Sequence, residues 1–543
     1  MIFRTGRIAF FIFCSASLSA FGQQINDVIP PHDWFLKDPQ DDHLQGVSAE
    51  KTYATLLKDQ PSREVLVAVI DSGIDIDHED LKSIIWTNKN EIPGNGIDDD
   101  KNGYIDDVHG WNFIGGKSGN VEADSYELTR EYIRLSKKFG TTNERKINKK
   151  QKAEYQLYKE VKEKFDKQKQ SNTEEYDAFK KAYINVVLCL DTLKSVLHTD
   201  TLTLDKLQQF VPDEPMLLYA KSYILKLLRS VGPDISQLLT ELEDGIKHYQ
   251  TAVEFGYNED FDSRTIVGDD YFNTAEKYYG NNDVKGPDSG HGTHVAGIIA
   301  ADRKNDLGIK GIADNVRIMS VRAVPDGDER DKDVANAITY AVDNGAMIIN
   351  MSFGKSYSPQ KDFVDKAVKY AEQKGILLIH AAGNDGEDID KENSFPTRFY
   401  NDGTEAKNWL EIGASSWGDN DEFAASFSNY GKKSVDLFAP GVDIYSTQPN
   451  SEYTSEDGTS FASPATAGVA ALLMSYFPEF SALDIKDILK KSTRKFDNLQ
   501  VQRPGGKGSV KFSDLSNTGG LINAYEAVKL AQSMKNEIKK SGN

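Results

Sequence analysis

The stretch Val65-Leu66-Val67-Ala68-Val69-Ile70-Asp71 decides the fold. Its apolar run lacks the polar alternation of a half-exposed strand, so it reads as a buried strand of a parallel sheet. Such a strand delivers its last side chain, here Asp71, to the carboxyl edge of the sheet, where open α/β folds form their sites. After residue 291 strand-like runs alternate with helical periodicity: Arg317 to Ala323, a helix around Asp333 to Asp343, Met347 to Ser352, a helix near Asp362 to Gln373, and Ile376 to Ala381. Trp409 to Ala414 and Val435 to Phe438 are further strands, and helices follow from Ser460 through Leu473, at Ala482 to Lys490 and at Leu521 to Lys539. The pattern predicts an α/β fold, a doubly wound parallel sheet with helices on both faces.

Two other segments place chemistry beside Asp71. His291 lies in HGTHVAG (His291 to Gly297) and Ser460 in GTSFASP (Gly458 to Pro464), each opening a helix-like segment. Gly290 and Gly292 flank the histidine, and Gly458 precedes the serine by two, so the backbone can turn tightly there. A neutral serine hydroxyl is a poor nucleophile; an imidazole must take its proton, and a carboxylate must hold the imidazole in the right tautomer. Asp71, His291 and Ser460 supply those three groups.

DSGID, HGTHVAG and GTSFASP, in this order, resemble the three active-site signatures of the subtilisin-like serine proteases, family S8. The resemblance implies a serine endopeptidase that hydrolyses polypeptides through an acyl-enzyme. AAGNDG (Ala381 to Gly386) resembles the family's oxyanion-hole segment, which assigns an amide donor to Asn384. MIINMSFG (Met347 to Gly354) resembles the strand that pairs with an extended substrate, which makes Ser352, Phe353 and Gly354 the substrate-binding candidates. Two other functions use the same fold: a non-catalytic binding protein, which would normally have lost a triad residue, and a peptide ligase or macrocyclase working through the same acyl-enzyme.

A metal is expected in the loop Asn95 to Asp107. Asp98, Asp100 and Asn102 alternate before Gly103 like the start of an EF-hand loop, where oxygens at that spacing converge on Ca²⁺. The twelfth position is His109, so Asp106 or Asp107 must supply the missing carboxylate. The predicted role of calcium is structural, and catalysis requires no cofactor.

Arg4 and Arg7 precede an apolar stretch, Ile8 to Phe13, and small residues lead to Ala20-Phe21-Gly22, a pattern that predicts a signal peptide over 1–22 and export to the periplasm or the exterior. Nothing after it reaches the about 18 apolar residues of a membrane span. Of the two cysteines, Cys14 lies in the leader, leaving Cys189 alone without a disulfide partner. The formal charge, 64 − 84 = −20, argues against general nucleic-acid binding. The acidic run Asp326, Asp328, Glu329 and Asp331 reads first as a solvated loop and second as an attraction for cationic peptides.

The remaining organisation is an N-terminal extension over 23–64, a first catalytic segment over 65–118, an insertion over 119–283 and a second catalytic segment over 284–543. Asp71 and His291 are 291 − 71 = 220 residues apart, whereas the resemblance implies a few tens. The insertion has no proline before Pro212 and favours helices. Tyr176, Phe179, Tyr183, Val186, Val187, Leu190, Leu193 and Leu197 mark one apolar face, and Leu217, Leu218, Ile224, Leu225 and Leu228 a second. A helical bundle or long hairpin is expected, acting as a lid or exosite because its ends join loops at the sheet edge. Glu144 to Lys169 carries ten Lys or Arg against five Asp or Glu, a solvated helix face or a docking patch.

Overall fold

The computed structural model describes residues 30–541. Residues 30–127 and 262–541 form one compact unit and Leu128–Phe261 another. The predicted signal peptide and Cys14 lie outside the described residues.

Apart from two small hairpins, the strands of the larger unit are β1 (Val65–Asp71), β2 (Gly110–Asn112), β3 (Val316–Arg322), β4 (Ile348–Met351), β5 (Leu377–Ala381), β6 (Trp409–Ser415), β7 (Leu437–Pro440), a hairpin of β8 (Ile444–Gln448) and β9 (Glu452–Glu456), then β10 (Arg494–Lys495) and β11 (Gly520–Leu521). Among the described residues, nine of them form one sheet in the order β10-β11-β7-β6-β5-β4-β1-β3-β2, parallel except for the β10 edge. β1 is an interior strand, paired with β3 from Val65↔Val316 to Asp71↔Arg322 and with β4 on its other side. Its burial on both faces is what an unbroken apolar run requires.

The α-helices of seven residues or more among the described residues are, in chain order, α1 (Ala49–Thr55), α2 (Glu127–Phe139), α3 (Lys152–Val196), α4 (Pro215–Val231), α5 (Ile235–Thr251), α6 (Gly290–Ala300), α7 (Asp331–Asp343), α8 (Lys361–Gln373), α9 (Thr459–Tyr476), α10 (Ala482–Lys491) and α11 (Ala524–Ser541). One face of the sheet packs on α6, α9, α10 and α11, and the other on α7 and α8. The doubly wound architecture read from the alternation is therefore present. Trp34, Phe35 and Leu36 are buried in the first of these cores, and Trp34 Nε1 donates to the Asp443 carbonyl at 3.0 Å.

In the smaller unit α3 runs for 45 residues and packs on α4 and α5. Its buried positions include Phe179, Val186, Leu190 and Leu193, half of the first predicted face. On α4 the buried positions are Ala220, Ile224 and Leu228, at strict i, i+4 spacing, while Leu218 turns outward at 55% exposure. Counting leucines placed Leu218 inside; the helical period puts Ala220 there instead. The basic arm spends exposed lysines within its own unit, on Lys159–Glu144, Lys162–Asp166 and Lys169–Glu259 ion pairs, which fits a solvated face.

Candidate active site

The sheet edge brings Asp71, at the end of β1, to His291, the second residue of α6. His291 Nδ1 lies 2.7 Å from Asp71 Oδ1, which also accepts the Ser72 N–H at 2.8 Å. A ring nitrogen bonded to a carboxylate carries the proton, so the neutral imidazole keeps Nε2 as its acceptor. Gly292 makes the approach possible: a Cβ there would lie 2.2 Å from the Gly73 carbonyl oxygen and 3.2 Å from Asp71 Cβ. Any side chain would push the helix away from the carboxylate.

Ser460 is the second residue of α9, and Phe461 beside it packs 5.5 Å from the His291 ring. Its N–H is among the first amides of a helix, which have no intrahelical acceptor. Gly458 leaves space for the hydroxyl, since a Cβ would come within 2.7 Å of Ser460 Oγ. Pro464 falls in the second turn of α9. A proline there cannot donate to the carbonyl four residues earlier, which belongs to Ser460. That carbonyl instead accepts Ser352 Oγ–H at 2.7 Å. The Ser352 oxygen accepts Asn350 Nδ2–H at 2.9 Å, and Asn350 Oδ1 accepts Ser463 Oγ–H at 2.8 Å. Ser352 thus fastens the end of β4 to the helix start that carries Ser460.

Asn384 follows β5. Its Oδ1 accepts both the N–H and the hydroxyl of Thr459 at 2.8 Å. Those donors fix which end of the amide is oxygen, leaving Nδ2 as a directed donor. Gly383 N–H donates to Thr459 Oγ1 at 3.1 Å, holding the turn against α9. The arrangement therefore offers an oriented imidazole, a hydroxyl at a helix start and two amide donors. It can deprotonate a hydroxyl and stabilise an oxyanion. Asn350 and Thr459, which tie these groups together, escaped sequence reading because each is a common residue inside a motif whose other members carry the chemistry.

The model of the subtilase family matches residues 62–508. The chain belongs to the subtilase family. A subtilase relative, the thermophilic serine proteinase of Bacillus sp. (strain AK1), is 41% identical over 226 residues, 41% of this chain and 50% of that protein. Subtilisin BL of Lederbergia lenta is 35% identical over 218 residues, 40% of this chain and 75% of that protein. Thermitase of Thermoactinomyces vulgaris is 38% identical over 241 residues, 44% of this chain and 75% of that protein. The chain spans half the length of the first of these relatives.

In this subtilase the acidic loop before β2 brings three carboxylates together. Oxygens of Glu91, Asp100 and Asp107 lie within 4.8 Å of one another. Asn102 Nδ2 donates to Asp100 at 3.3 Å and to Asp107 at 3.0 Å. Asp98 turns to the backbone, accepting the N–H groups of Asn102 and Gly103, and Asp106 accepts those of Asn95 and Gly96. The EF-hand count looks forward from Asp98 and does not reach Glu91, whose carboxylate arrives from the preceding turn. Burial pushes the Asp107 carboxyl up to about 6.

The run at 326–331 is not a solvated loop. Asp331 Oδ1 pairs with the buried Lys355 at 2.8 Å, Lys355 also donates to the Glu329 carbonyl at 2.7 Å, and Asp328 accepts the Glu127 N–H at 2.7 Å. Burial pushes the Glu329 carboxyl up to about 8. Much of this charge is spent inside the fold.

Proposed function

We propose that the chain is an exported serine endopeptidase. The Asp71–His291 bond, formed beside the Ser460 helix start and next to an Asn384 whose Nδ2 is directed by Thr459, carries the reading. An extended peptide lies along Ser352, Phe353 and Gly354. His291 Nε2 takes the Ser460 proton as Oγ attacks the scissile carbonyl, and Asp71 steadies the imidazolium that results. The oxyanion is met by Asn384 Nδ2 and the Ser460 N–H. His291 then protonates the leaving amine, and water, activated by the same imidazole, releases the acyl group from Ser460.

Glu91, Asp100 and Asp107 would hold a calcium ion with Asn102 close by, since hard carboxylate oxygens suit that ion. Bound there, it would neutralise a partly buried anionic loop and so support the fold. Among the described residues no helix is long and apolar enough to cross a membrane. The leader read from the sequence supplies the export.

Labelling with a fluorophosphonate tests the reading. Rapid, stoichiometric modification that disappears in Ser460→Ala is expected; no labelling, with the fold intact, would leave only a binding protein. Adding an amine nucleophile separates hydrolysis from ligation, and hydrolysis product should dominate.

A further inference from the structure

β4 and β5 are hydrogen-bonded neighbours up to the pair Met351↔His380, and there they part. Ser352 to Gly354 turns toward the Ser460 carbonyl, whereas Ala381 to Asn384 turns toward Thr459. The two segments therefore diverge beside the start of α9.

His380 stands at the point of divergence. Its ring is buried and packs edge-on against Phe353 at 6.2 Å. Just beside Gly354, the position of a Cβ would be 3.9 Å from His380 Cε1 and 3.9 Å from Ser394 Oγ. His380 Nδ1 is held 2.7 Å from Glu411 Oε1, and Glu411 Oε2 accepts Trp409 Nε1–H at 2.7 Å. The ring is thus fixed in orientation. Its other nitrogen, Nε2, is buried with no hydrogen-bond partner.

A buried polar nitrogen left unpaired is costly, and structures retain one where something arrives to pair with it. Nδ1 is turned to Glu411, so Nε2 is the nitrogen left to pair, and the tautomer that carries its proton on Nδ1 presents a lone pair there that asks for a donor. The carboxylate behind the ring adds attraction for positive charge.

We propose that a slot between these diverging segments receives the substrate side chain on the acyl side of the cleaved bond, and that His380, buried beneath it, is a specificity-determining residue that selects a side chain ending in an N–H donor, lysine or arginine. This rests on the endopeptidase reading above and adds the substrate class. Glu411 is the positioning residue that holds the ring, and Ser394 flanks the slot.

The test uses the full chain and matched peptides differing at one residue, lysine against norleucine, which keeps the chain length and removes the donor. The expected kcat/KM ratio is at least about tenfold for lysine, because a site built to hydrogen-bond a group discriminates against its absence. His380→Phe should bring the ratio to about one while norleucine cleavage persists. Because that change strands Glu411, His380→Phe/Glu411→Gln serves as the second variant, keeping an acceptor for Trp409. A ratio near one in the unaltered protein, or a ratio unchanged in both variants, overturns the proposal. If no peptide is cleaved and no fluorophosphonate is bound, the endopeptidase reading itself fails, which is a distinguishable result.

Discussion

Replacing Ser352 by alanine should both destabilise the fold and slow the enzyme, through a carbonyl that proline has left without a partner. Ser352 is 5% exposed, and its hydroxyl donates to the Ser460 carbonyl and accepts from Asn350. Alanine leaves two buried polar groups unpaired, at about 1–3 kcal/mol each, so roughly 2–6 kcal/mol in all. Pro464→Ala restores an N–H four residues after Ser460 and offers the carbonyl the ordinary helical bond. By itself this second change costs packing and unfolded-state rigidity. In combination it should recover about 1–3 kcal/mol of the Ser352→Ala loss, the share belonging to the carbonyl. The four proteins of this cycle are best compared by denaturant unfolding in a Ser460→Ala background, which prevents self-cleavage and leaves the carbonyl in place. Losses that add within about 0.5 kcal/mol would refute the coupling, since independent sites behave that way.

Gly292→Ala should separate His291 from Asp71 and lower kcat/KM by about 10²-fold or more, the scale of an ångström-sized misplacement, with a matching fall in fluorophosphonate labelling rate. His294 is fully buried, its Nε2 2.9 Å from the Ile444 carbonyl, and burial, reinforced by nearby His291, pushes its imidazole down to about 3. The unfolded chain binds that proton from about pH 6.5 downward, so stability should be full above 6.5 and fall toward pH 3, by roughly 4–5 kcal/mol at 1.36 kcal/mol per pH unit; His294→Gln should flatten the denaturation midpoint across that window. Calcium should raise the thermal midpoint of the unaltered protein, and Glu91→Gln should weaken the response as much as Asp107→Asn does, whereas Asp98→Asn should not. Excising Leu128–Phe261 with a short linker should change cleavage of folded proteins more than cleavage of short peptides; equal effects would remove the lid or exosite reading of the insertion.

The placement of the candidate catalytic residues was legible because each is positioned by its own few neighbours. Asp71 needs only the end of an apolar strand, His291 and Ser460 only a glycine-rich entry to a helix, and Asn384 only the turn after β5. In the acidic loop Asp100 and Asp107 lie close together, but the carboxylate that joins them, Glu91, depends on how an earlier turn folds back. Likewise Leu218 looked like core because composition ignores phase, while the buried positions of α4 follow Ala220, Ile224 and Leu228.

The residue that we assign to selectivity was the least legible of all, and for a physical reason. Nothing in Leu377-Leu378-Ile379-His380-Ala381 distinguishes a histidine at a slot from one merely satisfied inside a sheet. Its setting arises from three separate segments: the register that makes Met351 its last partner, the departure of Ser352 toward a carbonyl freed by Pro464, and Glu411 one strand away. The proposed reaction therefore rests on local motifs, whereas the proposed selectivity depends on where two strands stop pairing. It follows that changing the Ser352–Ser460 contact should alter side-chain selectivity as well as rate, because that contact helps hold the slot open. Measuring the lysine-to-norleucine ratio in active Ser352→Ala distinguishes this from a pure loss of nucleophile geometry, which would lower both substrates by the same factor.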